Sequence, residues 1–210
     1  MSAAAAGLLT GLSLIVAIGA QNAYVLRQGL LRSHVGPVVL VCALSDAVLI
    51  AAGVGGIGTI VDRAGWVIDV VRWLGVAFLL WYAAASLRRA FGTEALTTGG
   101  GREAGTDGGA ESRLRVVGRA TALTWLNPHV YLDTVLLLGS IAAAHDAEAA
   151  SGRWWFGAGA AIGSVVWFCG LGFGARLLAP MLARPRAWRI LEACIAATMI
   201  FVAAKLALAS

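Results

Sequence analysis

The sequence predicts an all-α integral membrane protein, six transmembrane helices arranged as two inverted three-helix repeats. Three observations carry that prediction. Of 210 residues, 60% are hydrophobic and only 13% charged, about half the charged share of a soluble domain, and the mean hydropathy is +0.82. The apolar residues come in long blocks rather than alternating with polar faces, which is the pattern of membrane spans. These blocks also fall into two groups of three, on either side of a Gly-rich polar stretch.

The first block, 4–30, lacks a basic segment before its apolar run and is long enough to span, so it reads as a retained helix rather than a cleaved leader. Blocks 37–61 and 66–87 follow, the latter opening with Asp69 and Arg72, three apart and able to pair on one helix face. The stretch 92–113 is polar, Gly-rich and without an apolar face, so it cannot bury enough surface to fold alone. It is expected to be a flexible cytoplasmic linker joining repeat halves 1–91 and 114–210 within a single transporter domain, 1–210. Blocks 116–144, 154–177 and 187–208 complete the six, each long enough to cross a ~30 Å hydrocarbon core.

"SDAVLIAAGVGG" in the second block lies opposite "SVVWFCGLGFGA" in the fifth, matching Ser45, Gly53 and Gly55 with Ser164, Gly172 and Gly174. Arg88 and Lys205 stand near the ends of the third and sixth blocks. A repeat with an odd number of spans must enter the membrane from opposite sides in its two copies, and transporters built this way bind substrate near the midplane between the copies. Arg27, Arg32, Arg88, Arg89, Arg102, Arg113, Arg115, Arg119, Arg176, Arg184, Arg186 and Arg189 lie in or beside the 1–2, 3–4 and 5–6 connections, against Arg63, Arg72, Arg153 and Lys205 on the other side. The positive-inside rule then places both termini outside the cytoplasm.

Ionisable groups at membrane depth are functional candidates by default. Asp46 lies ~13 Å along the helix from Pro37, close to the midplane; a neighbouring Arg27 or Arg72 offers a purely structural pairing for it. The fourth block carries "WLNPHVYLD". Pro128 removes a backbone donor and disfavours helix at Asn127, so the span should break there. Freed carbonyls at membrane depth need protein or a polar cavity around them, and Asn127 and His129 supply polar groups. Asp133, four residues after His129, shares its helix face and can orient the imidazole or take its proton. Gly19, Gln21 and Asn22 interrupt the first block in the same way, so each half carries one polar break.

Several other signals point to packing. Gly53, Gly55 and Gly58 satisfy a GxGxxG pattern, but in a transmembrane block with no strand before it, so no nucleotide loop is implied. Cys42, Cys169 and Cys194 each sit alone in an apolar block and read as packing residues. His129 and Asp133 lack further ligands at metal spacing, so no metal or other cofactor is expected. No basic stretch interleaves with stacking aromatics, which argues against a nucleic-acid partner despite a net charge of +5. Glu192, three after Arg189, is expected to form a local ion pair. Trp66, Trp154, Trp155 and Trp188 read as interface anchors in the lipid bilayer. The small-residue faces Gly7/Gly11 and Gly159/Gly163 serve either a homodimer or the fold.

The blocks "GAQNAYVLRQGL", "SDAVLIAAGVGG", "WLGVAFLLWYA" and "LNPHVYLDTVLLLG" resemble, in order, the signature blocks of the LysE family of amino-acid exporters, which includes arginine exporters of the ArgO type. The resemblance runs from about Gly7 to the end, apart from the linker. It implies six membrane helices, no prosthetic group, no enzymatic activity, and export of basic L-amino acids (L-lysine, L-arginine or both) across a bacterial inner membrane. The matching substrate-binding positions are Gln21, Asn22, Asp46, Asn127, His129, Tyr131 and Asp133, with Pro128 at the helix break.

A basic amino acid carries two cations and a carboxylate. Asp46 and Asp133 suit the cations, and the amide side chains and half-helix N-termini suit the carboxylate. Moving one positive charge outward against an inside-negative potential costs ~2.3 kcal/mol per 100 mV, so antiport against one proton would make turnover electroneutral. Asp46 is the first candidate for carrying that proton, then Asp133, with His129 as a relay. Two alternatives stay open: export of neutral amino acids or related small solutes, as in the RhtB branch, and a membrane thiol–disulfide carrier. The latter would need facing cysteines that the first and fourth blocks lack.

Overall fold

The computed structural model describes residues 2–16, 19–56, 65–91, 112–146, 151–177 and 185–208, and within these ranges every regular element is helical. Most of the linker, 92–111, lies outside the described residues, as do Gly58 and the side chain of Trp66. The first block forms two helices, α1 (Ala3–Ile15) and α2 (Ala20–Leu31), bent by 84° relative to one another. Then come α3 (Val35–Val54) and α4 (Gly65–Phe91). The fourth block is divided among α5 (Arg113–Trp125), a single turn at Pro128–Val130, a π-helical stretch at Tyr131–Leu137, and α6 (Leu138–Asp146). Last are α7 (Gly152–Gly174) and α8 (Pro185–Leu208).

Among the described residues, four stretches are long and apolar enough to cross a membrane (Val35–Val54, Asp69–Phe91, Gly152–Leu177 and Ala187–Leu208), and the bent α1–α2 pair makes five if counted as one span. The fourth block is not among them: it is interrupted at Leu126 and Asn127, the piece before the break is short, and the piece after it carries His129, Asp133 and His145. These apolar helices make the chain a multi-pass membrane protein. Their outward faces fit lipid: α3 turns Leu40, Leu44 and Val48 outward, four residues apart, and buries Ser45, Asp46 and Leu49 on its other side.

The helices pack closely through small residues. A methyl group on Gly7 would strike the Phe156 backbone carbonyl, and one on Gly159 would strike that of Ala4, so α1 and α7 touch backbone to backbone. The Gly7/Gly11 and Gly159/Gly163 faces are therefore used within the chain, against each other. Gly53 of α3 meets Thr134, Val135 and Gly139 in the same manner. Tyr24, Val38, Cys42, Tyr82, Val116, Phe168 and Met199 form the main apolar core, and Ile50, Val54, Leu138, Ala142 and Phe156 form a second.

One ion-pair expectation is corrected. Glu192, fully buried on α8, does not pair with Arg189 on its own helix: it receives the Arg27 Nε at 2.7 Å from α2 and the Arg89 Nε at 3.3 Å from α4. A carboxylate on the inner face of a packed helix meets the cations of its neighbours, whereas Arg189 is exposed. Asp69 and Arg72 do pair, at 3.0 Å.

Candidate functional site

Both helix breaks are built by asparagines. The Asn22 side-chain amide donates to the Ile15 carbonyl at 2.7 Å, reaching back across the gap to satisfy the end of α1, and its Oδ1 accepts from the Trp167 indole at 3.2 Å. Asn127 adopts extended backbone, and its Oδ1 accepts from the His129 backbone N–H at 3.2 Å, with Pro128 as first residue of the new turn. That is the usual division of labour at a helix start: a side-chain acceptor caps an orphan donor, and proline occupies the position whose donor is not needed. This turn and the π-helical stretch after it bring His129, Asp133 and Thr134 to the cavity side.

The breaks face each other across a cavity of about 260 Å³ lined by α1, α2, α3, α6, α7, α8 and the Asn127–Thr134 segment. At ~30 Å³ per water this holds about nine waters, the scale of a free amino acid of about ten to twelve heavy atoms. Six of the seven substrate-binding candidates line it: Gln21, Asn22, Asp46, Asn127, His129 and Asp133. Tyr131 does not. Its hydroxyl donates to the Trp125 carbonyl at 2.9 Å, closing the end of α5 just before the break.

Asp46, 7% exposed, pairs with neither Arg27 nor Arg72; its carboxylate accepts from the Ser164 hydroxyl at 2.8 Å. Ser45, which the sequence comparison of the two halves sets opposite Ser164, accepts from the Trp125 indole at 3.0 Å. Two buried nitrogens in the cavity lining, Gln21 Nε2, which lies beside the Cys42 thiol, and His129 Nε2, have no hydrogen-bond partner of good geometry among the described residues. Buried polar atoms are normally satisfied, so these two nitrogens are open to a bound ligand, although Gln28 Nε2 and Tyr82 Oη, away from the cavity, are unpartnered as well.

Sequence reasoning did not assign Ser164, Thr134 or Lys205 to the site, although all three line the cavity. Ser164 carried a signal, its match with Ser45. Lys205 carried another: it is the single lysine of the chain, set in an apolar block.

Residues 12–210 match the LysE type translocator family. The chain is 45% identical to a Mycobacterium tuberculosis protein named as a candidate amino-acid transporter, over 91% of this chain and 90% of that one. It is 38% identical to the lysine exporter LysE of Corynebacterium efficiens, over 96% of each. It is 37% identical to the arginine exporter ArgO of Escherichia coli, over 96% of this chain and 91% of that one. No solved structure matches.

Proposed function

The chain belongs to the LysE type translocator family, and from that premise we propose that it exports basic L-amino acids, lysine or arginine or both, from a bacterial cytoplasm by alternating access. The observation that carries this reading is the cavity between the two breaks, with two carboxylates and two unpartnered buried nitrogens on its walls. The lysine and arginine exporters among the relatives point to the same cargo. Asp46 and Asp133 take the two cations of the substrate; the amides of Gln21 and Asn127 and the His129 ring bond its polar groups. Tyr131 acts at one remove, by bracing the break.

We read the architecture as six spans in one domain, the first and fourth broken. The packing partners support two inverted repeats. Chain order makes α5 the counterpart of α1, and the π-helical stretch with α6 the counterpart of α2: α1 packs on α7 as α5 packs on α3, α2 packs on α7 as the π-helical stretch and α6 pack on α3, and α4 packs on α8. The repeat-related spans α3 and α7 also contact each other, with the Ser164–Asp46 bond between them.

Orientation follows the charges, with the protein in the inner membrane and both termini outside. The C-terminal ends of α2 and α4 and the N-terminal part of α8 meet at the Arg27–Glu192–Arg89 cluster. The N-terminal part of α5 joins them through the Tyr24 hydroxyl, which donates to the Val116 carbonyl at 3.1 Å. This basic end faces the cytoplasm and is closed. Lys205, at the cavity, lies 13 residues further along α8 from Glu192, or about 20 Å, which in this orientation puts it on the outer side. Loading from the cytoplasm requires the cluster to part. The ionisable groups on the cavity wall are Asp46, His129, Asp133 and Lys205, and return with a proton on Asp46 makes each cycle electroneutral.

Counterflow tests the reading. Proteoliposomes preloaded with unlabelled arginine or lysine should accumulate the labelled amino acid through wild type and not through folded Asp46→Asn. Counterflow of neutral amino acids alone would replace the cargo, and counterflow intact in Asp46→Asn would remove Asp46 from the substrate site.

A further inference from the structure

We infer that Lys205 anchors the α-carboxylate of the transported amino acid, an inference that rests on the basic-amino-acid reading of the cavity. Lys205 is the only lysine among the 16 basic residues of the chain. It lies on α8, one turn after Phe201, with its ammonium 5.9 Å from that ring, and both residues line the cavity that holds Asp46 and Asp133. No carboxylate among the described residues forms an ion pair with it, although its charge reaches Asp133.

The wall thus presents two anions and one cation, the complement of an L-lysine or L-arginine zwitterion with its two cations and one carboxylate. Their depths also differ. Asp46 is buried and bonded to Ser164, whereas Lys205 is exposed near the C-terminal end of α8, the outer end in the proposed orientation. A substrate held at both places lies along the cavity, with a cation inward and its carboxylate outward. The alternative role for a lysine three residues before a helix end is to snorkel into the headgroups. That role leaves substrate recognition untouched.

The two roles separate on a pair of ligands that differ in the carboxylate. Binding of L-arginine and of agmatine, its decarboxylated form, is measured by calorimetry on the purified full-length protein, in wild type, Lys205→Gln and Lys205→Arg. Losing one charge-assisted contact should weaken L-arginine about tenfold in Lys205→Gln. Agmatine, which lacks the anchored group and is relieved of a nearby cation, should not weaken, and Lys205→Arg should hold arginine far better than the glutamine variant. L-arginine binding that is unchanged or tighter in Lys205→Gln overturns the inference, as does an equal loss for both ligands. Wild type binding neither arginine nor lysine is a different failure: it removes the basic-amino-acid reading and this inference together.

Discussion

Two polar regions lie inside this apolar protein, and they are built on opposite terms. At the arginine-rich end Glu192, Arg27 and Arg89 satisfy one another, with the Arg89 guanidinium also donating to the Ser86 hydroxyl at 2.6 Å. In the cavity, Asp46 has a hydroxyl donor but no cation among the described residues, and Gln21 Nε2 and His129 Nε2 have no well-formed hydrogen bond there. Charges at membrane depth are costly unless paired, so a closed network ties helices together, whereas an open set of polar groups is maintained for a ligand. The lesson concerns satisfaction rather than polarity. Glu192 and Asp46 are both buried carboxylates, and their partners distinguish them: two arginines for one, a serine hydroxyl for the other.

Substitutions can break this contrast. The largest effect is expected at Glu192→Gln. Removing the one anion leaves two arginines facing each other, a loss on the order of 3 kcal/mol for a broken buried pair, visible as a lowered thermal midpoint in detergent. A midpoint equal to wild type would make the cluster a bystander. Next is Gly159→Val, which drives a side chain into the Ala4 backbone at the α1–α7 contact and should cost about 1–3 kcal/mol by overpacking, read in the same melt. Asn22→Ala removes the bond that holds the first break to the end of α1. It should lower stability by about 1–2 kcal/mol and reduce counterflow beyond the loss of folded protein, because the cavity wall shifts with the break. The smallest is Tyr131→Phe, which loses one hydrogen bond to the Trp125 carbonyl, about 1 kcal/mol, with the affinity for arginine retained. A large loss of affinity there would put the phenol in contact with substrate.

The sequence carried the cavity well and the cluster poorly, for a physical reason. Pro128, Asn127 and the Gln21–Asn22 pair are legible because a proline or amide in an apolar helix perturbs the backbone at its own position, whatever surrounds it. Asp46 is legible because an isolated carboxylate in a span is costly wherever it points. A partner across space is not written locally. Glu192 and Arg27 stand 165 residues apart, while Arg189 sits one turn away and points outward. Tyr131 shares the His129 segment, yet the direction of its side chain depends on the π-helical winding after Pro128, which no regular period predicts.

The most direct test of the central claim, that the cavity is an open site and the cluster a closed one, is thermal unfolding of the purified protein with and without saturating L-arginine or L-lysine. A ligand that binds only the folded state raises the midpoint in proportion to its saturation. Wild type should gain a saturable stabilisation, and Tyr131→Phe should gain as much. Asp46→Asn should start near the wild-type midpoint, because no ion pair is broken, and gain nothing from either amino acid. Full ligand stabilisation of Asp46→Asn, or none in a wild type that melts cooperatively, would contradict it.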